Sequence, residues 1–347
     1  MRRHAVVTLL LVMGALGALT RPTLAATVLS IPRMSGSPKI DGILDNPFWE
    51  KEALKIDGFR QFTPVEKGDP SQKTEAYIGY DPKNLYIAFR CYDTDPQKIR
   101  ASITKRDNVI DDDWILVFLD TFNEKRRAFT FIINPLGIPL DGMRIEEGGD
   151  ADIDGSWDAV FQSEGRVDEK GYTVEMAIPF KSIRFPDSSS QTWGLQIQRT
   201  IRRKNEEIYW YPRSRNVNGF LLQAGQLQIE GDLEKGKNLE IMPVLTALKE
   251  GSGTIDPEAG LNLKYGITSN MTIDLAINPD FSQIEADIPK INVNQRYDLY
   301  YPEKRPFFLE GKDYFDTPIE LVYTRTISTP MWGGKLTGKA GKTTIAS

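Results

Sequence analysis

Histidine is almost missing from this chain. Of 347 residues only His4 is a histidine, and it lies in an N-terminal stretch with the marks of a leader. The rest of the chain has no imidazole, which excludes Ser-His-Asp and Cys-His catalysis and histidine-ligated zinc. Cysteine is as scarce. The single Cys91 cannot form an internal disulfide, and its place in the strand-like run Leu85–Tyr92 argues for a buried, inert thiol. Long apolar runs are also lacking, apart from Ala5–Leu19. A spanning helix needs ~20 apolar residues, so that run is too short. With Arg2, Arg3 and His4 before it and Thr23-Leu24-Ala25 after it, residues 1–25 read as a secretory signal peptide. An exported chain without a spanning helix is expected to be periplasmic, secreted or a β-barrel.

Positive charge is in deficit. Cleavage would remove Arg2, Arg3 and Arg21, so 43 Lys and Arg fall to 40 against 48 acids, a net charge of −8. That balance points away from nucleic acid as a partner and leaves room for bound cations. The 322 residues that follow the leader exceed one typical domain and suggest two.

What the chain does have is strand. Residues 27–36 read as a linker, and from Ile40 to about Gly231 short apolar runs alternate with turn signals. Thr74–Tyr80, Leu85–Tyr92, Trp114–Leu119, Ala128–Asn134, Trp157–Glu164, Gly171–Ile178, Trp193–Ile201 and Glu207–Trp210 are the expected strands. Strands at this spacing predict a β-sandwich or barrel. Trp114–Leu119 and Phe129–Ile133 are apolar almost throughout, which predicts burial on both faces. Helix is expected only in short pieces such as Asn46–Ala53 and Pro179–Ile183.

After the charged connector 232–238 the alternation becomes longer and cleaner. Ala259, Leu261, Leu263, Tyr265 and Ile267 alternate with polar or small residues; after Ser269-Asn270, Met271, Ile273, Leu275 and Ile277 do the same. Side chains two apart share a strand face, so this is a hairpin with one apolar and one polar face. In an exported chain that pattern suggests an outer-membrane barrel. Leu239–Lys249, Trp332–Gly338 and Thr343–Ala346 bring the strands after residue 238 to about five, by the period-two test. A membrane barrel needs at least 8, and open edges are costly in lipid. The expectation is therefore an incomplete barrel, the N-terminal part of a longer wall.

Several motifs together resemble a known module. Pro38–Trp49, Ala76–Asp93, Asp112–Asp120, Tyr172–Phe185 and Trp193–Arg199 are similar to the carbohydrate-binding module family 9-like β-sandwich, over residues 36–231. Residues 239–347 resemble the uncharacterised outer-membrane β-barrel domain that often follows such a module, above all through Asn278–Gly311. The fold implied is all-β, an antiparallel β-sandwich followed by the first strands of a truncated outer-membrane-type barrel. In sugar-binding members of the first family a sugar lies between two tryptophans. The first of these positions falls at Ile110, the carboxylate expected in the next strand falls near Leu116, and Asn216–Gln226 has no counterpart of the second tryptophan. Trp114 is the displaced candidate platform.

The candidate carbohydrate-binding residues are thus Trp114, Trp210 and Arg213, the last two from a cluster in which Arg199, Arg202, Arg213 and Arg215 lie near Tyr209, Trp210 and Tyr211. A cross-strand packing stripe is the competing reading of that cluster. Asp150, Asp152, Asp154 and Asp158 form a candidate calcium loop, with Gly155 at its turn but Phe161 where a bidentate glutamate belongs. Lys125-Arg126-Arg127 and Arg202-Arg203-Lys204 are expected at hairpin tips as solvated charges. The aromatics from Tyr297 to Phe315 suit a bilayer interface or a plug.

The expected function is a non-enzymatic, outer-membrane-associated protein with a periplasmic or lumenal sandwich that binds or handles a glycan. The alternative is a soluble carbohydrate-binding accessory module of a secreted, xylanase-like glycoside hydrolase. Glycosidase activity in the chain itself would need two carboxylates at ~5–9 Å, and no feature singles out a pair.

Overall fold

The computed structural model describes residues 28–146, 152–155, 157–234, 239–248, 256–268, 270–279, 303, 305–309, 311–312, 315, 321–327, 330–340 and 343–347. The leader falls outside them, as does most of the aromatic segment from Tyr297. Among the described residues no helix is long and apolar enough to cross a membrane.

The sandwich is built from β1 (Val28–Ser30), β2 (Leu54–Ile56), β3 (Arg60–Thr63), β4 (Thr74–Tyr80), β5 (Asn84–Tyr92), β6 (Trp114–Asp120), β7 (Arg127–Ile133), β8 (Pro139–Ile145), β9 (Asp152–Asp154), β10 (Gln162–Asp168), β11 (Gly171–Pro179), β12 (Ser190–Ile201), β13 (Glu206–Tyr209) and β14 (Gly225–Glu230). One sheet runs β1-β14-β12-β6-β7-β8-β9, with β13 on β12 and β3 on β13; the other runs β10-β11-β5-β4-β2. Among the described residues, helix is confined to α1 (Pro47–Lys51), short 3-10 turns such as Phe180–Ser182, and a single turn near residue 306. Asn46 accepts from the Phe48 N–H at 3.1 Å and Pro47 opens α1, a sound start for so short a helix.

Alternation along each strand sorts the core. Ile115, Val117 and Leu119 of β6 face the second sheet with Phe129, Phe131 and Ile133 of β7 and Trp193, Leu195 and Ile197 of β12. Trp114, Leu116 and Phe118 point the other way, into a second cluster with Val109, Tyr209, Phe220 and Leu221. The continuous apolar run of β6 is therefore buried on both faces, as its sequence predicts. Each such side chain stabilises the fold by ~1.5–3 kcal/mol. A third cluster, with Trp49, Tyr86, Ala88 and Ala177, forms where the α1 segment covers part of the second sheet. The buried Glu175 clamps that segment, accepting from the N–H groups of Asp41 (2.9 Å) and Gly42 (2.7 Å) and from Trp49 Nε1 (2.6 Å).

One cation lies inside the sandwich. Arg199 of β12 is fully buried and crosses to the opposite sheet. It donates to the Lys73 carbonyl (3.2 Å), Thr74 Oγ1 (3.0 Å) and the Tyr92 carbonyl (3.0 Å), and its guanidinium stands 5.1 Å from the Tyr172 ring centre. The Asp93 carboxylate is 3.9 Å away. Cys91 is fully buried beside it, and burial pushes the thiol pKa up, which fits the inert thiol expected. In the basic triplet after β12, Arg202 and Arg203 are half-buried and Lys204 is exposed, and all three have partners. Arg203 holds Asp93 with two bonds (2.8 and 2.6 Å), Lys204 reaches Ser71 at 2.8 Å, and Arg202 reaches the Ile110 carbonyl.

The five strands expected after residue 238 form an open antiparallel sheet in chain order. They are β15 (Leu239–Leu248), β16 (Asp256–Thr268), β17 (Met271–Ile277), β18 (Trp332–Ala340) and β19 (Thr343–Ala346). The register aligns Tyr265, Ile273 and Leu336 in one row, Leu263, Leu275 and Gly334 in a second, and Leu261, Ile277 and Trp332 in a third. This apolar face lies bare: Leu245 is 81% and Trp332 74% exposed. The polar face is covered instead. Thr272, Asp274, Lys335, Thr337 and Lys339 are all buried. Lys335 donates to the Phe307 carbonyl at 2.6 Å and stands 5.0 Å from the Phe307 ring centre, so the turn α2 (Pro306–Leu309) sits on this face. A knot secures the turn: Arg305 pairs with Glu303 at 2.7 Å and donates to the Thr324 carbonyl at 2.8 Å.

Candidate functional site

The outer face of the nine-stranded sheet is covered in part by the chain itself. Gln196, fully buried on β12, donates to the Tyr211 carbonyl (2.9 Å) and accepts from the Tyr211 N–H (3.1 Å). Gln223 accepts from the Ser214 N–H (2.6 Å) and donates to the Val217 and Gly219 carbonyls, both at 3.0 Å. These bonds fold loop 211–224 onto the sheet. Its apolar anchor, Phe220, meets Phe118 at 4.6 Å between ring centres, and Glu146 accepts the Phe220 and Leu221 N–H groups at 2.7 and 3.1 Å.

The three candidate residues Trp114, Trp210 and Arg213 lie in different surroundings. Arg213 stacks on Phe220 (4.3 Å), Phe62 (4.6 Å) and Tyr209 (5.1 Å). Such stacking is worth ~0.5–2 kcal/mol per contact and fixes the guanidinium as a structural piece. Trp114 is 9% exposed in the second cluster, with Arg202 6.0 Å above its ring. Trp210 turns the other way from Tyr209, as strand alternation requires, and joins the inter-sheet core at 8% exposure. Leu116 is buried, and Ile110 stands at the edge of the face.

Within the acidic run, the described residues Asp152–Asp154 form a strand. Asp150 lies outside the described residues. Asp152–Asp154 is strand β9, with Asp152 opposite Ile145 and Asp154 opposite Met143 of β8. Asp158 joins a different group, with Asp107 and Asp141, whose carboxylate oxygens lie within 4.8 Å of one another. Arg106 supplies the positive charge there: it binds Asp141 and stands 3.5 Å from Asp158 and 3.9 Å from Asp107. Burial pushes the Asp141 carboxyl up to about 6, against the Ala159 N–H and Arg106, which favour the ion.

The open part of the five-stranded sheet carries a constellation that strand-by-strand reading misses. Glu75 and Tyr77 of β4 and Arg90 and Tyr92 of β5 share its outer face, with Glu75 directly opposite Arg90. Lys55 and Lys73 each reach Glu75 Oε1 at 2.7 Å, while the Tyr77 and Tyr92 hydroxyls donate to Oε2 at 3.1 and 3.2 Å. Lys73 and Arg90 stand 5.3 and 5.4 Å from the Tyr92 ring centre, and Arg90 holds Asp168 with two bonds (2.6 and 3.0 Å). Two half-buried phenol rings thus lie among charged donors and acceptors, the mixture a sugar needs: rings for its apolar face and polar groups for its hydroxyls.

Burial alone would raise the Glu75 carboxyl, but hydrogen bonds from Lys55 and Lys73 outweigh it and hold the carboxyl down at about 2. A carboxyl lowered on folding stabilises above its unfolded value and loses that contribution as pH falls. Glu75→Gln is therefore expected to cost ~1 kcal/mol at pH 7, a figure discounted because both lysines are solvent-screened. The difference should vanish as pH falls from 4.5 towards about 2. Urea unfolding of both proteins across that range is the check.

Two family models match separate parts of the chain. Residues 40–207 match the family described as carbohydrate family 9 binding domain-like, and the sandwich is similar to those modules. Residues 238–340 match a domain of unknown function (DUF5916). Among solved structures, the chain is similar to a carbohydrate binding module of family 9 from Caldicellulosiruptor kristjanssonii. In complex with glucose that module is 15% identical, with 59% of this chain and 96% of the module covered and a TM-score of 0.42. In complex with cellotriose the values are 16%, 59%, 93% and 0.41. A candidate carbohydrate-binding protein from Bacteroides uniformis ATCC 8492 is 12% identical, with 59% of this chain and 100% of that protein covered and a TM-score of 0.45. No curated protein matches the chain.

Proposed function

We propose that this chain is a non-enzymatic, exported outer-membrane protein whose family 9-like sandwich handles a glycan beside a sheet that faces lipid. The observation that carries the membrane half is the inverted burial of β15–β19. In water a sheet covers its apolar face and wets its polar one; here Lys335, Asp274 and Thr337 are covered while Leu245, Leu275 and Trp332 are bare. Acyl chains are the occupant that fits such a face, because they accept apolar side chains and offer no hydrogen bonds. Strand length agrees: β15 has 10 residues and β16 has 13, against the ~9–11 that cross a bilayer at a tilt. In lipid the edge strands β15 and β19 need further strands as partners, whichever chain supplies them.

The glycan half rests on the family 9-like match and on the Tyr77–Tyr92 face, since Trp114 and Trp210 are packed into the clusters of the sandwich. Fractionation of cells expressing the natural protein tests the first half: recovery with the outer membrane, and release only by detergent, is expected. Retention on insoluble polysaccharides tests the second. Tyr77→Ala and Tyr92→Ala are each expected to weaken retention about tenfold, or ~1.4 kcal/mol. Unchanged retention in the double variant moves the sugar elsewhere. A second reading, a soluble accessory module of a secreted glycoside hydrolase, is favoured by the family 9-like match taken alone. It requires a protein that stays soluble without detergent.

A further inference from the structure

The two ends of the β15–β19 sheet differ, and the difference sets a direction. At one end the strands are joined tightly: β16 to β17 through residues 269–270 and β18 to β19 through residues 341–342. At the other end the connections are long, residues 249–255 and residues 278–331. The register makes the assignment unambiguous. Thr268 pairs with Met271 and Ala340 with Thr343 at the tight end, while Leu248 pairs with Asp256 and Ile277 with Trp332 at the far end. Met331, beside Trp332, belongs to that far end, and its carbonyl accepts from the Asn278 N–H at 2.7 Å.

The sandwich sits at the tight end, on two independent observations. The first is the connector. Glu234 is still bonded to the sandwich, its N–H on the Pro82 carbonyl at 2.6 Å, and β15 begins at Leu239, opposite Tyr265. Five chain steps reach at most about 18 Å, so β15 must enter the sheet close to the sandwich. The second is a direct contact. Lys339 of β18, buried on the polar face, binds the Glu124 carboxylate and stands 4.7 Å from the Phe122 ring centre. Both partners lie in the β6–β7 hairpin, whose turn is fixed by Asp120 accepting the Glu124 and Lys125 N–H groups at 3.2 and 2.7 Å. The Lys339 N–H in turn bonds the Asn270 carbonyl of the tight turn at 2.9 Å.

Barrels of the outer membrane have short turns on the periplasmic side and long loops outside. Resting on the membrane reading above, we infer that the sandwich docks on the periplasmic side of the sheet. The β6–β7 hairpin there closes the polar face through Glu124, Phe122 and Lys339. The far end of the sheet, where Asn278 and Met331 meet, then lies on the outer side. The glycan reached by this sandwich is accordingly periplasmic in location, not on the outer surface.

Thiol accessibility decides the direction. Cys91 is fully buried, so the natural protein serves as the unlabelled control. Met331→Cys, Asn270→Cys and Ser189→Cys are each expressed in the full natural chain in cells with an outer membrane. The cells are treated with a polyethylene-glycol maleimide too large to enter. The expected result is a gel shift of Met331→Cys in intact cells, and of the other two only after the outer membrane is permeabilised. A shift of Ser189→Cys or Asn270→Cys in intact cells, or none of Met331→Cys, overturns the inferred direction. Recovery of all three variants in the soluble fraction overturns the membrane reading itself, and the two failures are thus told apart.

Discussion

Arg199→Met is expected to destabilise the sandwich by about 3–5 kcal/mol, the usual cost of removing one member of a buried charge network. Methionine fills much of the same volume, so the loss is not chiefly a cavity. It comes from three acceptors on the opposite sheet, at Lys73, Thr74 and Tyr92, that lose their donor where water cannot replace it. It comes also from Asp113, a fully buried carboxylate whose charge is favoured by the Arg202 N–H and by the Arg199 guanidinium. Burial already raises the Asp113 pKa, and loss of Arg199 raises it further. A carboxyl raised on folding weakens the fold as pH rises, so the deficit should be larger at pH 7 than at pH 4. Asp113→Asn in the Arg199→Met background should recover part of it. Urea midpoints at the two pH values are the measurement. A loss below about 1 kcal/mol, within the range of an ordinary surface change, would remove Arg199 from its role as the staple between the sheets.

Leu275→Arg carries the second large effect, and its size depends on the solvent that the sheet meets. Leu275 is 44% exposed on the bare face, between Leu263 and Gly334. Facing water, a charge at such a position changes stability by roughly 0.5 kcal/mol or less. Facing the middle of a bilayer, arginine costs about 2–4 kcal/mol, and the protein should accumulate less in the outer membrane. Stability of the wild type and the variant in detergent-free vesicles, beside the yield of each in the membrane fraction, separates the two. An unchanged yield with unchanged stability would mean that the apolar face is covered by something other than acyl chains.

Strand pattern was readable wherever period two is set by a single strand. The double-sided burial of β6, the five strands after residue 238, and the two-faced hairpin at Ser269-Asn270 all follow from alternation alone. The acidic run shows where such reading stops. D-A-D-I-D-G has the side chains of a calcium loop, but its backbone finds Met143–Ile145 and pairs as a strand edge. Asp158 then belongs with Asp107 and Asp141, residues 51 and 17 positions earlier, around Arg106. No local spacing encodes that meeting.

The aromatic and charged residues divide in the same manner. Trp114, Trp210 and Arg213 stand out in the sequence as candidate ligand groups, yet the alternation continuing from β13 turns Trp210 inward, Trp114 packs into the cluster on the outer side of the sheet, and Arg213 stacks on Phe62, Tyr209 and Phe220. A signal for that loop existed: Phe220-Leu221-Leu222 is an apolar triplet in a largely polar stretch, and Phe220 and Leu221 are the two that become buried. Glu75, Tyr77, Arg90 and Tyr92 were each visible at alternate positions of two expected strands. Only the register that sets Glu75 opposite Arg90 joins them into one face.

By itself, then, the sequence determined the scarcity of catalytic imidazole and thiol, the all-β character, the division near residue 235, and the two faces of the late hairpin. These depend on composition and on the fixed geometry of a single strand. The tertiary structure alone decided which face of that hairpin is covered, that Arg199 lies between the sheets, that Trp114 and Trp210 pack on opposite sides of one sheet, and which end of β15–β19 carries the sandwich. Each of those depends on register and on contacts between residues far apart in the chain, and pairing free energy, not local pattern, selects among them.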